Sequence, residues 1–399
     1  MPQSTTAFQR APGRRPSARN KAPSLLYVAN IPRFFLSHRL PLALAARDAG
    51  FNVQVAASDS DTAAQRSIRE SGLPFYGLPL RQHGMNPVLE LHTLRALRAL
   101  YRELKPDLLH HISIKPVIYG GIAARFSGCR NVAQAMSGLG YVFVNRSARA
   151  RLLNLISGPA FKLALGGERA RAIFQNPDDL ELFVERGLIT RQRALVIRGS
   201  GVDENVFFPR QENVAGLPVV LFAGRLLWQK GISEFVEAAR RLRGQARFQV
   251  AGYEEPTSPL NVSAGKLQSW AAEGLIEWLG ARADMPAVYA QSNIVCLPST
   301  YGEGVPKVLI EAAACARVCV TTDTPGCREI VRRGFNGLLV PPHDIDALTQ
   351  ALKRLIENPG ERMKMGAAGR QIVLERFTLR QVIDETLALY ADMLDSPSR

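Results

Sequence analysis

Residues Val219 to Leu242 read VVLFAGRLLWQKGISEFVEAARRL. The stretch opens on a short apolar run, Val219 to Ala223, of the kind that forms a buried strand. Gly224 to Gly231 interrupts it with a turn carrying Arg225 and Lys230, and a helical pattern follows from Ile232 to Leu242. Strand, turn and helix in that order make one βα unit, and such units in series build a parallel sheet with helices on its faces.

The same rhythm runs outward in both directions. Upstream, the pattern predicts strands at Leu25 to Ala29, Asn52 to Ala57, Phe75 to Leu78, Leu108 to Ile112, Val132 to Met136, Ala172 to Gln175 and Ala194 to Ile197. Helices are predicted between them, at Ser37 to Ala49, Ala63 to Ser71, Pro87 to Leu104, Val117 to Phe126, Ala148 to Leu165 and Pro177 to Arg186. A turn-rich stretch, Gly199 to Pro209, separates this set from a second that continues through Cys327 to Arg332, and helices at Ile345 to Glu357, Glu361 to Glu375 and Leu379 to Leu394 finish the chain. At 399 residues the chain exceeds what one core usually organises. It therefore reads as two consecutive doubly wound α/β domains, 23–208 and 209–378, with a disordered basic leader at 1–22 and a helix and tail at 379–399. In open parallel sheets ligands bind beyond the carboxyl ends of the strands, so two such domains facing each other place a site in the cleft between them.

Composition narrows the class. Hydrophobic residues make up 46% and charged residues 21%, as in an ordinary globular protein. No uncharged apolar stretch reaches the roughly 18 residues of a membrane span. The leader holds Arg10, Arg14, Arg15, Arg19 and Lys21 without an apolar run, so it does not read as an export signal. Cys129, Cys296, Cys315, Cys319 and Cys327 are scattered and odd in number, which suggests neither a disulfide framework nor a zinc site and fits a reducing cytosol. The net charge of +15 is lopsided: 29 Lys and Arg face 14 Asp and Glu through Arg210, against 21 and 21 beyond it. The first half therefore expects an anionic partner, whether a phosphorylated acceptor, an anionic membrane surface or nucleic acid. Nucleic acid is disfavoured by the lack of basic-aromatic interleaving, recognition-helix cues or zinc spacing.

Two motifs carry chemistry. In the first, Arg225 and Lys230 sit where a strand hands over to a helix N-terminus, which favours anions through free N–H groups and the helix dipole. A diphosphate suits the pair, Arg through its planar fork and Lys as a point charge; a solvated turn with two surface cations is the plainer reading. The second runs from Ser299 to Ala312 and holds Glu303 between Gly302 and Gly304, with Glu311 eight residues on, inside a helix begun by Pro306. Glu311 lies in an otherwise apolar helix and needs a partner, either a ribose hydroxyl pair or an internal Arg.

Together these motifs resemble the paired donor-site signatures of the GT-B retaining glycosyltransferases, family 4 of the sequence-based classification. The likeness runs over nearly the whole chain and is strongest from Gly224 to Gly337. It implies two Rossmann-like domains facing across a cleft, with a C-terminal helix crossing back to the first. It also implies that Arg225 and Lys230 contact the donor pyrophosphate, with Glu303 against the donor sugar and Glu311 on ribose. Backbone of Gly302, Gly304 and Val305 would meet diphosphate and sugar, and the turn from Gly280 to Arg282 the nucleobase. Glu303, Arg225 and Lys230 are thus the expected catalytic residues, with no metal or other cofactor.

The first half is similar to the branch of that family that builds bacterial surface polysaccharides, such as lipopolysaccharide, on polyprenyl diphosphate carriers. Its likeness rests on Phe35-Leu36-Ser37-His38-Arg39, Asp107-Leu108-Leu109-His110-His111 and Ser137-Gly138-Leu139-Gly140-Tyr141, extended by Phe174-Gln175-Asn176 and Gly199-Ser200-Gly201-Val202-Asp203. Two places depart from many relatives, which carry a glycine pair where Asn30-Ile31-Pro32 stands and a His where Ser137-Gly138 stands, so the family's sugar-binding His is assigned to no residue. The expected acceptor residues are His38, Arg39, His110, Ser137 and Gly138. Structural hydrogen bonding for His110 and surface exposure for His38 and Arg39 are the competing readings. The resemblance implies transfer of a hexose or N-acetylhexosamine from a nucleotide sugar, UDP-linked, to a glycan or polyprenyl-diphosphate-linked acceptor. The enzyme is then expected in the cytoplasm, peripheral on the inner face of the membrane. The arginine-rich pattern from Ala148 to Leu165 reads either as a helix resting on anionic lipid through Arg146, Arg149 and Arg151 or as one packed on its own domain with a basic solvent face. A nucleotide-sugar epimerase of the same architecture, a non-catalytic nucleotide-sugar sensor and a nucleic-acid binder are the alternatives.

Overall fold

A computed structural model gives the architecture and describes residues 22–82, 86–138, 158–212 and 214–395. The basic leader, the segment from Leu139 to Tyr141, and Arg146, Arg149 and Arg151 lie outside these residues.

Two parallel sheets organise the chain. The first holds seven strands: β1 (Ser24–Ala29), β2 (Asn52–Ser58), β3 (Phe75–Leu78), β4 (Leu108–Ile112), β5 (Val132–Ala135), β6 (Ala170–Phe174) and β7 (Ala194–Val196). The second holds six: β8 (Val219–Ala223), β9 (Arg247–Ala251), β10 (Glu277–Gly280), β11 (Ile294–Leu297), β12 (Val318–Thr322) and β13 (Gly337–Val340). Their orders, β3-β2-β1-β4-β5-β6-β7 and β10-β9-β8-β11-β12-β13, share the doubly wound pattern in which the winding reverses beside the set's first strand. That reversal opens a crevice at the carboxyl ends of β1 and β4 in one sheet and of β8 and β11 in the other.

Strands covered on both faces need continuous apolar runs, and β8, β11 and β12 are buried at every position. The stretch quoted first shows how sheet and helix lock. Phe235 of the helix Ile232–Arg241 meets Phe222 of β8 with ring centres 5.5 Å apart and Phe248 of β9 at 5.4 Å. This fixes the helix N-terminus over the crevice.

The structure departs from the sequence reading at several elements. Where one helix was predicted, from Ser37 to Ala49, there are two: Pro32–His38, which begins five residues earlier in the expected loop, and Leu40–Asp48, with a break at Arg39. Pro41 causes the break, because it has no N–H for the Ser37 carbonyl four residues back and its ring crowds that turn. The predicted helix from Val117 opens as a π-turn, Pro116–Gly120, where a Cβ on Gly120 would lie 2.7 Å from His111 Nε2. Strand β13 was not anticipated: four residues starting with glycine give little periodicity, and Gly337 is there because a side chain would strike the Cys319 carbonyl oxygen at 2.4 Å.

The chain closes on itself at its end. Val202 N–H donates to Phe377 O at 3.1 Å and Leu379 N–H to Val202 O at 2.8 Å, forming a short bridge between the segments that link the domains. The helix Leu379–Asp395 then sets Val382, Leu389, Tyr390 and Met393 into the first domain's core, against residues such as Tyr27, Phe35 and Leu42.

Candidate active site

Beyond β8 the chain turns at Gly224, and Leu226 N–H is held by Tyr253 O at 3.1 Å. A single 3₁₀ turn, Trp228–Lys230, leads to Gly231 at φ 80°. A Cβ there would lie 2.0 Å from Pro298 O, so only glycine lets this turn lie flat against the segment after β11. Thr300 N–H completes the seam by donating to Gln229 O at 2.9 Å. The first motif is thereby pressed against the second.

The consequence is an ion pair. Lys230 Nζ binds the Glu303 carboxylate, with only 11% and 9% of the two side chains exposed, and lies 5.3 Å from the centre of the Tyr301 ring. Burial opposes the charge on Lys230, but Glu303 and Tyr301 more than offset it and raise its pKa. Glu303 Oε1 is buried and has no hydrogen-bond partner among the described residues. Arg225 Nη1 lies 2.9 Å from Glu255 Oε2. Glu311, on the helix Lys307–Ala314, accepts from Tyr289 Oη at 2.9 Å and lies 3.5 Å from Lys307 Nζ. Burial raises its pKa, with Lys307 and Tyr289 pulling the other way.

The first domain faces this group directly. Gly138, at φ 111°, has room for no side chain, because a Cβ would lie 2.6 Å from Gly304 N. Gln175 Oε1 accepts the Val305 N–H at 2.8 Å, and a Cβ on Gly304 would strike that same oxygen. Lys307 Nζ reaches across to the Ser37 carbonyl at 2.7 Å, the carbonyl that Pro41 leaves without a helical partner. Ser137 Oγ bonds Ser113 Oγ at 3.1 Å at the carboxyl ends of β5 and β4. His38 stacks on Phe34 at 4.2 Å, and burial, then Lys307, Arg39 and Arg225, hold its pKa well below the usual value, so the imidazole is neutral.

Two family profiles match the chain: "Glycosyl transferases group 1" over residues 203–372 and "Glycosyl transferase 4-like" over residues 24–176. The chain is a glycosyltransferase. Among curated relatives, an N,N'-diacetylbacillosaminyl-diphospho-undecaprenol alpha-1,3-N-acetylgalactosaminyltransferase of Campylobacter jejuni is 26% identical over 86% of this chain and 93% of its own. A UDP-Gal:alpha-D-GlcNAc-diphosphoundecaprenol alpha-1,3-galactosyltransferase of Escherichia coli is 26% identical over 79% and 83%. Among solved structures, sucrose-phosphate synthase of Thermosynechococcus elongatus superposes with a TM-score of 0.78 at 19% identity, covering 94% of this chain and all of that one, 100%. Anabaena Alr3699/HepE in complex with UDP-glucose does so with a TM-score of 0.72 at 20% identity, covering 92% and 99%. The fold of this glycosyltransferase is thus GT-B, as the motifs implied.

Within the glycosyltransferase, the sequence-selected residues divide. Arg225, Lys230, Gly302, Glu303, Gly304, Val305 and Glu311 gather at the carboxyl end of the second sheet, with His38, Ser137 and Gly138 opposite. Arg282 lies in the turn just past the carboxyl end of β10, on the edge of that sheet, where its exposed guanidinium holds Asp284 through bonds of 2.8 and 2.6 Å. His110 is a correction. It is 1% exposed, in mid-strand, with Nδ1 bonded to Tyr390 Oη and its ring 5.2 Å from that of Tyr27. The strand runs on to Ile112, so His110 lies below the crevice and faces the C-terminal helix. Arg39 is a second correction, 5% exposed and packed near Tyr27, Tyr390 and His110 beneath the cleft rather than on it. Sequence reasoning missed Glu255, Gln82, Gln175 and Lys307 as site residues. Lys307 had a signal in its place four residues before Glu311 on one helix face, and Gln175 in the Phe174-Gln175-Asn176 likeness.

Proposed function

We propose that this enzyme transfers a hexose or N-acetylhexosamine, with retention of configuration, from a UDP-sugar to a polyprenyl-diphosphate-linked glycan in bacterial surface-polysaccharide synthesis. One observation carries the reading: Arg225, Lys230, Glu303 and Glu311, from separate βα units, converge at the carboxyl end of one sheet, opposite the loops of the other domain. The names of the Campylobacter and Escherichia relatives support the lipid-linked acceptor, and the UDP-glucose held by the Anabaena protein supports the donor.

In this reading the diphosphate takes Lys230 from its resting carboxylate partner and binds the guanidinium donors that Arg225 leaves free. Glu303 Oε1, buried without a donor, accepts from a sugar hydroxyl, and Glu311 takes the ribose. The acceptor hydroxyl attacks on the face of the leaving group and passes its proton to the departing phosphate oxygen, so no protein nucleophile is needed. Arg225 and Lys230 oppose the charge that grows on that oxygen, each worth on the order of 3 kcal/mol when well aimed. With two cations and helix N-termini on the diphosphate, the reaction is proposed to need no metal.

The lopsided charge also supports a peripheral site on the cytoplasmic membrane, since the whole positive excess lies in the residues through Arg210. No helix among the described residues is long and apolar enough to cross a bilayer.

A screen of UDP-sugars for UDP release, with and without a membrane lipid extract, tests the function. Release that depends on one sugar and on the extract, persists in EDTA, and falls roughly 10²- to 10³-fold in Arg225→Ala supports it. Epimerised sugar without free UDP would replace it with an epimerase.

A further inference from the structure

One carboxylate serves both domains. Glu255 lies in the loop after β9, and that loop is strapped along the diphosphate turn. Trp228 N–H donates to Leu260 O and Val262 N–H to Leu226 O, each at 2.9 Å, and the Glu255 N–H is itself held by Asn261 Oδ1 at 2.7 Å. Its side chain, 11% exposed, is therefore fixed from the backbone outward. Oε2 holds Arg225 Nη1 at 2.9 Å, while Oε1 accepts from Gln82 Nε2, which belongs to the other domain.

A carboxylate beside a diphosphate site would weaken anion binding if charge were all that mattered. Its placement indicates a different role. Arg225 is on a turn, on a long side chain with several rotamers, and a guanidinium grips phosphate well only when its fork is aimed. Glu255 supplies that aim from one side and leaves the remaining Nη and Nε donors for a ligand. Its other oxygen is taken by Gln82 only when the two domains are together. Aiming and closure thus share one side chain.

We infer that Glu255 is a positioning residue that orients Arg225 toward the donor diphosphate and, through Gln82, couples that orientation to closure of the cleft. The inference rests on the proposed reading of Arg225 as a diphosphate ligand. By linkage, UDP then favours the closed arrangement by the same factor that closure favours UDP.

Calorimetric titration of the full chain with UDP separates the possibilities. Glu255→Ala weakens UDP binding roughly tenfold, the scale of one charge-assisted hydrogen bond, although it removes a negative charge from the site. Glu255→Gln keeps an acceptor for Arg225, and its amide N–H group can donate to Gln82 once that side-chain amide turns over, so it binds UDP at least as tightly as the unaltered enzyme. Gln82→Ala weakens binding about threefold, and the double variant Gln82→Ala/Glu255→Ala is no weaker than Glu255→Ala alone, since both act through one side chain. Thermal midpoints of all variants stay with the parent, which separates aiming from folding. Tighter binding by Glu255→Ala, or multiplying effects of the two substitutions, would overturn the inference. An unaltered enzyme that binds no UDP would instead sink the donor-site reading on which it rests.

Discussion

Lys230 and Glu303 stand 73 residues apart and form one buried ion pair. Both were legible because charge in a glycine-bounded turn between strand and helix has few structural uses. The adjacent histidines were not legible in the same way. A strand sends neighbours to opposite faces, so His110 meets Tyr390 while His111 bonds Tyr101 Oη and Gln134 Oε1, both at 2.9 Å. Burial pushes the His111 pKa down to about 4, with Gln134 opposing. An unfolded His titrates near 6.5, so between these values the unfolded chain binds the extra proton. The stabilisation from a neutral His111 is therefore full above about pH 6.5 and is lost as pH falls toward 4, an effect of order 3 kcal/mol at most. His111→Gln should flatten the fall in urea-unfolding free energy between pH 6.5 and 4.5 relative to the parent. An unchanged slope would show that His111 does not carry the acid sensitivity.

Elements were read well where long runs fixed them and poorly where single residues decided. The helix Pro87–Leu104 and the strands β3, β4 and β8 have the bounds that pattern alone suggested. The break at Arg39 depended on Pro41, and a proline one turn inside a helix start reads equally as a beginning or an interruption. That break matters to the site, since it frees the Ser37 carbonyl for Lys307. Gly231 shows the same economy of means. Both its φ of 80° and the 2.0 Å approach to Pro298 O demand glycine, whereas Gly187 shares a positive φ, 62°, but has nothing within 4 Å. Gly187→Ala should cost about 1 kcal/mol, the left-handed backbone penalty alone. Gly231→Ala should cost about 3 kcal/mol or more and weaken UDP binding, because the turn must also lift away from the segment after β11. Equal losses of stability in denaturant titrations of the two variants would mean that the Pro298 contact relaxes freely.

At the scale of the molecule, sequence order and structural membership part company. Periodicity shows a last helix but not which core it joins; the crossing back was implied only by the family resemblance, because an amphipathic stripe carries no address. Its place is fixed by Gly201, where a Cβ would lie 2.6 Å from Leu379 Cα, and by Tyr390, whose Oη lies 3.1 Å from Tyr27 Oη inside the first domain. The first domain's core is therefore finished by the end of the chain, and the two domains are tied at the bridge between Val202 and Thr378 as well as across the cleft. Met393 is 1% exposed in that core. Truncating a buried methionine to alanine costs about 2–5 kcal/mol through lost burial and the space left behind. Met393→Ala should thus loosen a domain that begins hundreds of residues earlier in sequence. Hydrogen exchange followed by mass spectrometry should show faster exchange in β1, β4 and the helix Leu40–Asp48, with β8, β11 and β12 unchanged. Faster exchange confined to the last helix would mean that it rests on the first domain without completing its core, and exchange rising equally in both sheets would mean that the domains unfold as one unit.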